Sequence, residues 1–355
     1  MADPGIIVVV YFQADSIIGL GHCVRVRALV DSLPFKHHLV LAADGEWVAP
    51  YFQHTAHYPR SDILKILAST CRTNLVILIA DHPNVPEKVW DFEHPKLIKV
   101  AIDDVGSAVL HSDIVVNCSG YPAYHRYPSM QNGISLLGLK YLPLRTEFGR
   151  TARFALQGKC LGVMAGSSQI ASDWIRAVLD MDFSKICSPK DIRVVMSPSA
   201  RQFAEIQQYG AAKGINVRRG LSSVEMVEFF RECRLCVMTA GMSLYEAFCC
   251  GVPVVAYPIQ PNMKAECAYY EAEGLLVNVM EGMNETALVG AVRRAWADRQ
   301  FLDDISARAR LQVDGQGLAR TAAVIATVAQ KCAHGEEKAM AITTTRKEIE
   351  SGKIA

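Results

Sequence analysis

The chain has 355 residues, of which 50% are hydrophobic and 21% are charged, and its formal net charge is +1. This balance gives no electrostatic basis for binding nucleic acid or an anionic membrane surface, and no apolar run approaches the ~20 residues of a membrane span. The first residues lack the basic and apolar regions of a secretory signal, so the 11 cysteines are expected to be reduced thiols. We expect a cytoplasmic protein of two domains.

Strand-like and helix-like segments alternate along the chain, a pattern typical of α/β domains with parallel sheets. The predicted strands are 6–12, 39–42, 75–80, 98–102 and 114–117 and, after a polar stretch, 160–164, 192–196, 216–218, 235–238, 254–256 and 276–278. This pattern predicts two doubly wound, Rossmann-like domains with a cleft between them. The predicted boundaries are a first domain at 1–150, a second at 151–333, and a frayed helix or flexible tail at 334–355.

The segment between the first predicted strand and the first helix carries the strongest chemical signal. A loop with Asp15, Gly19 and Gly21 follows the strand. His22 stands where this loop enters the helix. Free backbone N–H groups and the positive helix end favour an anionic ligand there and disfavour imidazolium, so His22 could accept a proton. The alternative is a histidine that only packs against or caps the turn.

Two turns in the second half also predict ligand binding. The predicted strand 160–164 runs into Gly166, Ser167 and Ser168, where small residues let a phosphate approach the backbone at a helix start. Such turns also occur with nothing bound. The next turn of this kind contains Gly241, which is expected to form the tight connection between a strand and a helix.

Two polar side chains in this half each have a structural and a functional interpretation. Glu246 follows Ser243 by three residues, which is the spacing of a capping box. In its alternative role, Glu246 binds two neighbouring hydroxyls of a ribose. Asn262, in a loop before another predicted helix, is either an N-cap or an amide that contacts the ligand.

Four stretches together resemble the GT-B superfamily of nucleotide-sugar enzymes. Within it, the chain is similar to the UDP-sugar hydrolases of the pseudaminic acid pathway and their spore-coat polysaccharide relatives. The stretches lie in the same order within residues 6–280 and are Asp15-Ser16 with Gly19-x-Gly21-His22-x-x-Arg25; Asp81-His82 with Ile102-Asp103-Asp104 and Asp113-Ile114; Leu137 to Phe148, which contains Tyr141-x-x-Leu144-Arg145-x-Glu147-Phe148; and Ala240-Gly241-x-Ser243 to Glu246 with Gly251-x-Pro253.

The resemblance implies a GT-B fold and attack of water at the anomeric carbon of a UDP-linked aminodeoxy sugar, with inversion and release of UDP. His22 is then the general base, Asp15 orients His22 or bonds the sugar, and Asn262 contacts the sugar or the water. The residues expected to contact substrate are Gly19, Gly21, Arg25, Tyr141, Gly166, Ser167, Ser168, Gly241, Ser243 and Glu246. No cofactor or metal is expected. The expected partner of this monomer is a small-molecule UDP-sugar, with no nucleic acid and no membrane span.

Two further hypotheses remain open. An inverting glycosyltransferase would use the same donor site, with His22 deprotonating an acceptor hydroxyl in place of water. Pro83, Ser168 and Met263 stand where the hydrolases have Tyr, Asp and Gln, and would then be adaptations to an acceptor. The third hypothesis is a catalytically silent protein that binds sugar nucleotides.

Overall fold

The computed structural model describes residues 5–15, 20–45, 48–82, 84–106, 111–128, 130, 132–150, 158–166, 169–200, 202–259, 261–279 and 285–354. The chain divides into two compact units. Unit 1 comprises Met1–Pro143 and Gln316–Ala355, and unit 2 comprises Leu144–Gly315. Each unit contains one sheet whose strands pair in parallel, which confirms the predicted fold class.

The strands alternate with helices along the chain. The strands are β1 (Ile6–Gln13), β2 (His37–Asp44), β3 (Ala56–Tyr58), β4 (Leu75–Asp81), β5 (Leu97–Ile102), β6 (Ile114–Asn117), β7 (Ile134–Leu137), β8 (Cys160–Met164), β9 (Ile192–Met196), β10 (Asn216–Arg219), β11 (Cys233–Met238), β12 (Val254–Ala256) and β13 (Val277–Asn278). The helices are α1 (Gly21–Asp31), α2 (Ile63–Thr70), α3 (Glu87–Trp90), α4 (Thr146–Arg150), α5 (Gln169–Asp180), α6 (Phe203–Ala212), α7 (Ser223–Glu232), α8 (Met242–Cys250), α9 (Pro261–Ala272), α10 (Glu285–Ala297), α11 (Arg299–Gln312), α12 (Gly317–Ala333) and α13 (Lys338–Glu350). Among these described helices, none combines the length and the apolar character needed to cross a bilayer.

The sheet of unit 1 has the strand order β3-β2-β1-β4-β5-β6-β7. The strands β4, β5 and β6 are buried along their whole lengths, as expected for a parallel sheet covered on both faces. After β1 the chain builds the sheet in one direction, and it then returns to place β4 on the other side of β1. Ligands in such sheets bind outside the carboxyl ends of the strands at this reversal point. The fold therefore points to the ends of β1 and β4.

The sheet of unit 2 repeats the same plan with the order β10-β9-β8-β11-β12-β13. Here the reversal lies between β8 and β11, which pair in register from Leu161 with Leu235 to Met164 with Met238. The side chains of β8 are all buried. The corresponding ligand position in this unit is the pair of turns that follow β8 and β11.

All the strands predicted from the sequence are confirmed, and two more are present among the described residues. The edge strand β3 is exposed and has only three residues, so it carries no apolar pattern. The strand β7 has four residues and follows the polar stretch that interrupts the sequence pattern. Short strands such as these are held by pairing with a neighbour rather than by their own composition.

The predicted C-terminal boundaries are wrong, because α12 and α13 belong to unit 1. Gly317 at the start of α12 lies so close to the backbone of Leu142 that an added Cβ would come within 2.3 Å of its carbonyl oxygen. Thr321 of α12 donates a hydrogen bond of 3.0 Å to the backbone carbonyl of Tyr141, next to Leu142. The expected tail at 334–355 contains α13, which buries Ala341 and Ile342. The predicted cleft between the domains stays a prediction.

Candidate active site

The strand reversal in unit 1 carries a histidine–aspartate pair. His22 is the second residue of α1, the helix that follows β1, and Asp81 is the last residue of β4. Asp81 pairs in register with Phe12, so the end of β4 lies beside the end of β1. His22 Nδ1 lies 2.5 Å from Asp81 Oδ1. The strand order therefore joins two residues that are 59 positions apart in the chain.

The geometry of this pair favours a base at the other ring nitrogen. A carboxylate that accepts a hydrogen bond from Nδ1–H leaves the lone pair on Nε2. Within the part of the chain that the structure describes, Nε2 of His22 has no hydrogen-bond partner. The His22 side chain is 19% exposed, whereas Asp81 is fully buried. A ligand hydroxyl can therefore reach the histidine, while the aspartate stays behind it.

A buried guanidinium holds the aspartate in place. Arg25 donates two hydrogen bonds to Asp81, of 2.6 and 2.5 Å, and two of 2.8 Å to Asp104. Burial alone would raise the pKa of Asp81, but Arg25 and then His22 hold it below its usual range. Two carboxylates around one guanidinium leave one negative charge, which can balance a proton taken up by His22.

The structure places two residues that were predicted to contact substrate in the interior of unit 1. The Arg25 side chain is 7% exposed and its guanidinium is engaged by Asp81 and Asp104, so it positions the aspartate. Tyr141 is buried with 3% exposure in unit 1, which makes it a core residue. Gly21 begins α1 as expected, and Gly19 lies outside the described residues.

The carboxylate beside His22 Nδ1 is that of Asp81, whereas Asp15 accepts a hydrogen bond of 2.5 Å from the side chain of Gln13. Asp81 and Asp104 stand in the motifs of the resemblance, but no role was predicted for them. A further signal is positional, because Asp81 ends β4 and Asp104 follows β5 by two residues. Carboxyl ends of neighbouring parallel strands lie at one edge of a sheet, so polar residues at these ends are candidates for a common site.

The strand reversal in unit 2 forms a small cleft of about 50 Å³ between the turns after β8 and β11. Its lining is Met164, Ala165, Gly166, Met238, Thr239, Ala240, Gly241, Met242, Ser243 and Leu244. The two turns are linked by a hydrogen bond of 3.3 Å from the Gly166 N–H to Thr239 Oγ1. The structure thus brings three predicted contacts together, Gly166, Gly241 and Ser243, while Ser167 and Ser168 lie outside the described residues.

Bare backbone forms much of this cleft. A Cβ added to Gly166 or to Gly241 would meet no atom within 4 Å, so the space beside each glycine is open. Gly241 has φ 143°, and Ala240 has φ 57°, a left-handed value that is rare for a residue with a side chain. The helix α8 begins directly after this turn; the Leu244 N–H donates to the Gly241 carbonyl, and a helix start leaves the N–H groups before it without partners within the helix. Open backbone at a helix start is suited to an anionic group such as a phosphate.

Glu246 does not form the predicted capping box. The N-cap of α8 is Gly241, which makes Ser243 the second helical residue. Glu246 instead accepts a hydrogen bond of 2.8 Å from Arg145 Nη2, and its side chain is 8% exposed. Burial raises the pKa of Glu246, and Arg145 and Ser243 partly offset this effect. The structural interpretation of Glu246 is therefore wrong, and its contact with a ribose stays a prediction.

Asn262 is the second residue of α9, because this helix begins at Pro261. A proline at the first helical position is common, since its missing N–H would have no partner there. The predicted N-cap role of Asn262 is therefore wrong. Its side chain lies outside the described part of the chain, so a contact with the ligand stays a prediction.

Residues 198–312 match the family described as Glycosyl transferases group 1. No curated protein matches the chain in sequence.

Solved structures match nearly the whole chain. S. aureus MnaA in complex with UDP is 12% identical, with a TM-score of 0.63, and the match covers 90% of this chain and 96% of MnaA. A Listeria monocytogenes protein described as a UDP-N-acetylglucosamine 2-epimerase is 14% identical, with a TM-score of 0.61 and coverage of 94% and 99%. Phytolacca americana UGT2, complexed with UDP-2-fluoro-glucose and pterostilbene, is 10% identical, with a TM-score of 0.60 and coverage of 98% and 99%. The chain has the GT-B fold.

Proposed function

We propose that the protein cleaves a UDP-sugar at the anomeric carbon, with His22 as the general base. The observation that carries this proposal is the His22–Asp81 pair at the strand reversal of unit 1. A general base must lie within hydrogen-bond reach of the hydroxyl it deprotonates and must be held in one orientation. His22 meets the second requirement through Asp81, and its exposed fraction leaves it accessible for the first.

In the proposed reaction, Nε2 of His22 takes the proton of a hydroxyl as its oxygen attacks the anomeric carbon. The bond from this carbon to the β-phosphate oxygen breaks, and UDP leaves with its electron pair. Asp81 stabilises the imidazolium that forms, as a carboxylate does beside a catalytic histidine. The charge that develops on the β-phosphate is stabilised by backbone N–H groups of the cleft that contains Gly166 and Gly241.

The choice of UDP rests on three supports. MnaA is complexed with UDP and UGT2 with UDP-2-fluoro-glucose, and both share the fold of this chain. The cleft of unit 2 has the open backbone that a diphosphate needs. Glu246 lies four residues after the start of the same helix and offers a carboxylate that could accept from two ribose hydroxyls. In this proposal unit 2 binds the nucleotide, and unit 1 acts on the sugar of the same molecule.

Water is the nucleophile in the first candidate reaction, the hydrolysis of an aminodeoxy sugar nucleotide in the biosynthesis of a nonulosonic acid or another surface glycan. This choice follows the resemblance of the motifs around His22 and between Tyr141 and Phe148. The match of residues 198–312 to group 1 glycosyl transferases favours a second candidate, in which an acceptor hydroxyl takes the place of water. The histidine has the same role in both.

The test is incubation of the protein with a panel of UDP-sugars, with release of UDP and the released sugar both measured. Release without an acceptor supports hydrolysis, and release that requires an added glycan or lipid acceptor supports transfer. The variant His22→Asn is the control for a contaminating enzyme. Binding of UDP without turnover on any substrate would contradict the proposed catalysis, and no binding of UDP would contradict the whole proposal.

A further inference from the structure

Arg145 and Glu246 form a shielded ion pair beside the cleft of unit 2. Arg145 directly precedes α4, and its guanidinium donates to Glu246 Oε1 at 2.8 Å and to Ser223 Oγ at 3.4 Å. The same guanidinium lies over the ring of Phe148, 5.1 Å from the centroid. The arginine side chain is 27% exposed and the glutamate 8%. Residues of α4, α7 and α8 therefore converge on one guanidinium, that of Arg145.

A contribution to folding stability does not by itself explain this ion pair. Arg145 Nε is buried and has no hydrogen-bond partner in the described structure. An unsatisfied buried donor costs free energy, and buried ion pairs are often no more stabilising than apolar residues of the same volume. The energetic cost is understandable if the protein needs a charged carboxylate at position 246.

We propose that Arg145 is a positioning residue for the nucleotide, which holds Glu246 ionised and oriented so that its carboxylate accepts hydrogen bonds from the ribose hydroxyls. This inference rests on the proposed function, because it assumes that the cleft of unit 2 binds UDP. Arg145, which lies outside the glycine turns and α8, then also determines the affinity for the nucleotide.

The groups around Glu246 make its charge depend on Arg145. Ser243 and Cys249 face it from α8. Burial raises the pKa of the Cys249 thiol to about 12, and Asp314 and Glu246 add to this effect. Arg145 is the cation that favours the ionised form, against a burial that favours the neutral one. A protonated carboxyl group has gained a donor and is a weaker acceptor than a carboxylate, so it binds two hydroxyl donors less well.

The experiment is calorimetric titration of UDP into the whole chain at pH values from about 5.5 to about 8.5, because burial raises the pKa of Glu246. We expect Arg145→Met to weaken UDP binding by about 10-fold or more at the acidic end, with part of the affinity recovered at the alkaline end. Arg145→Lys keeps the charge and should restore most of the affinity at every pH. Arg193→Met is the matched control, because Arg193 is also 27% exposed and pairs with Glu232 at 3.5 Å in the same unit.

Two results would overturn the inference while the proposed function stands. One is UDP binding by Arg145→Met that equals the wild type at every pH, and the other is tighter binding, which would mean that Arg145 competes with the ribose. If Arg145→Met does not fold, Glu246→Gln serves in its place. Its amide cannot carry the charge that Arg145 is proposed to maintain, so UDP should bind to it more weakly than to the wild type at every pH, and unchanged UDP affinity would contradict the inference. Failure of the wild type to bind UDP would instead contradict the proposed function.

Discussion

The two strand reversals share one strand order but present different chemical groups. In unit 1 the reversal is occupied by side chains, His22 hydrogen-bonded to Asp81, with the charged Arg25 behind them. In unit 2 it is occupied by backbone, with open space beside Gly166 and Gly241. The first arrangement fixes the orientation of a group that can exchange a proton. The second allows close approach to the main chain at the start of a helix, which suits an anion.

In the proposed reaction, this difference separates the contribution of unit 1 from that of unit 2. Proton transfer needs a side chain of suitable chemistry held by hydrogen bonds, whereas phosphate binding needs close approach to the main chain. Changes at the first reversal should therefore alter turnover, and changes at the second should alter nucleotide affinity. A variant that alters both properties equally would break the comparison.

The largest effect is expected for His22→Asn. Removal of the base should lower kcat by about 10²- to 10⁴-fold with UDP affinity nearly unchanged, because the proposed nucleotide contacts lie in unit 2. A turnover assay and a calorimetric titration of UDP measure the two properties separately. Turnover close to that of the wild type would return His22 to a structural role in its loop.

Asp81→Asn should come next, with a fall in kcat of about 10²-fold or more because the amide no longer fixes the tautomer of His22. The variant also leaves the buried Arg25 with one carboxylate fewer, which should cost about 3 kcal/mol of unfolding free energy. Asp104→Asn is the matched control, since Asp104 contacts the same guanidinium but is 43% exposed. Equal losses of turnover in the two variants would show that turnover depends on neutralising the charge of Arg25 rather than on the orientation of His22.

The sequence predicts the glycine turns and His22 because their signals are local. The partners are not local, since Asp81, which binds His22, lies 59 positions further along the chain, and Asp104, which binds Arg25, lies 79 positions beyond that arginine. Only the order of strands in the sheet brings them together. The same limit explains the errors, because the burial of Arg25 and the return of α12 to unit 1 depend on packing between distant segments.

The variant Gly166→Ala tests whether a phosphate binds beside the backbone of unit 2. The new methyl group meets no protein atom within 4 Å, so the melting temperature should not change, but it would occupy the space proposed for a phosphate. We expect UDP affinity to fall by about 10- to 100-fold, the effect of preventing close contact with backbone donors. Gly335→Ala is a useful control for a glycine with open space outside the cleft, although its φ of 92° should lower stability. Unchanged UDP affinity in Gly166→Ala would place the phosphate elsewhere.

The smallest effect is expected from acid, and it should act on unit 1 first. His82, next to Asp81, accepts a hydrogen bond of 2.9 Å from the Asn84 N–H, and its ring lies 2.7 Å from Arg60 Nη1. Burial, Arg60 and His22 lower the pKa of His82 to about 4. An unfolded histidine titrates near a pKa of about 6.5, so between these values the unfolded chain binds a proton that the folded chain does not. Folding free energy is therefore lost as the pH falls from about 6.5 to about 4, by about 1 kcal/mol for a half-buried group.

The measurement is the melting temperature of the wild type and of His82→Gln across this range, with amide hydrogen exchange to locate the loosened segment. Glutamine does not titrate, so the variant should lose less stability than the wild type below a pH of about 6.5. Exchange in the wild type should rise in β1 and β4 before it rises in β8 and β11, because the cleft of unit 2 is formed by backbone rather than by a titrating histidine. Equal pH slopes in the two proteins would exclude His82 as the cause. Earlier exchange in unit 2 would show that its backbone cleft, not the charged network of unit 1, is the more acid-sensitive of the two regions.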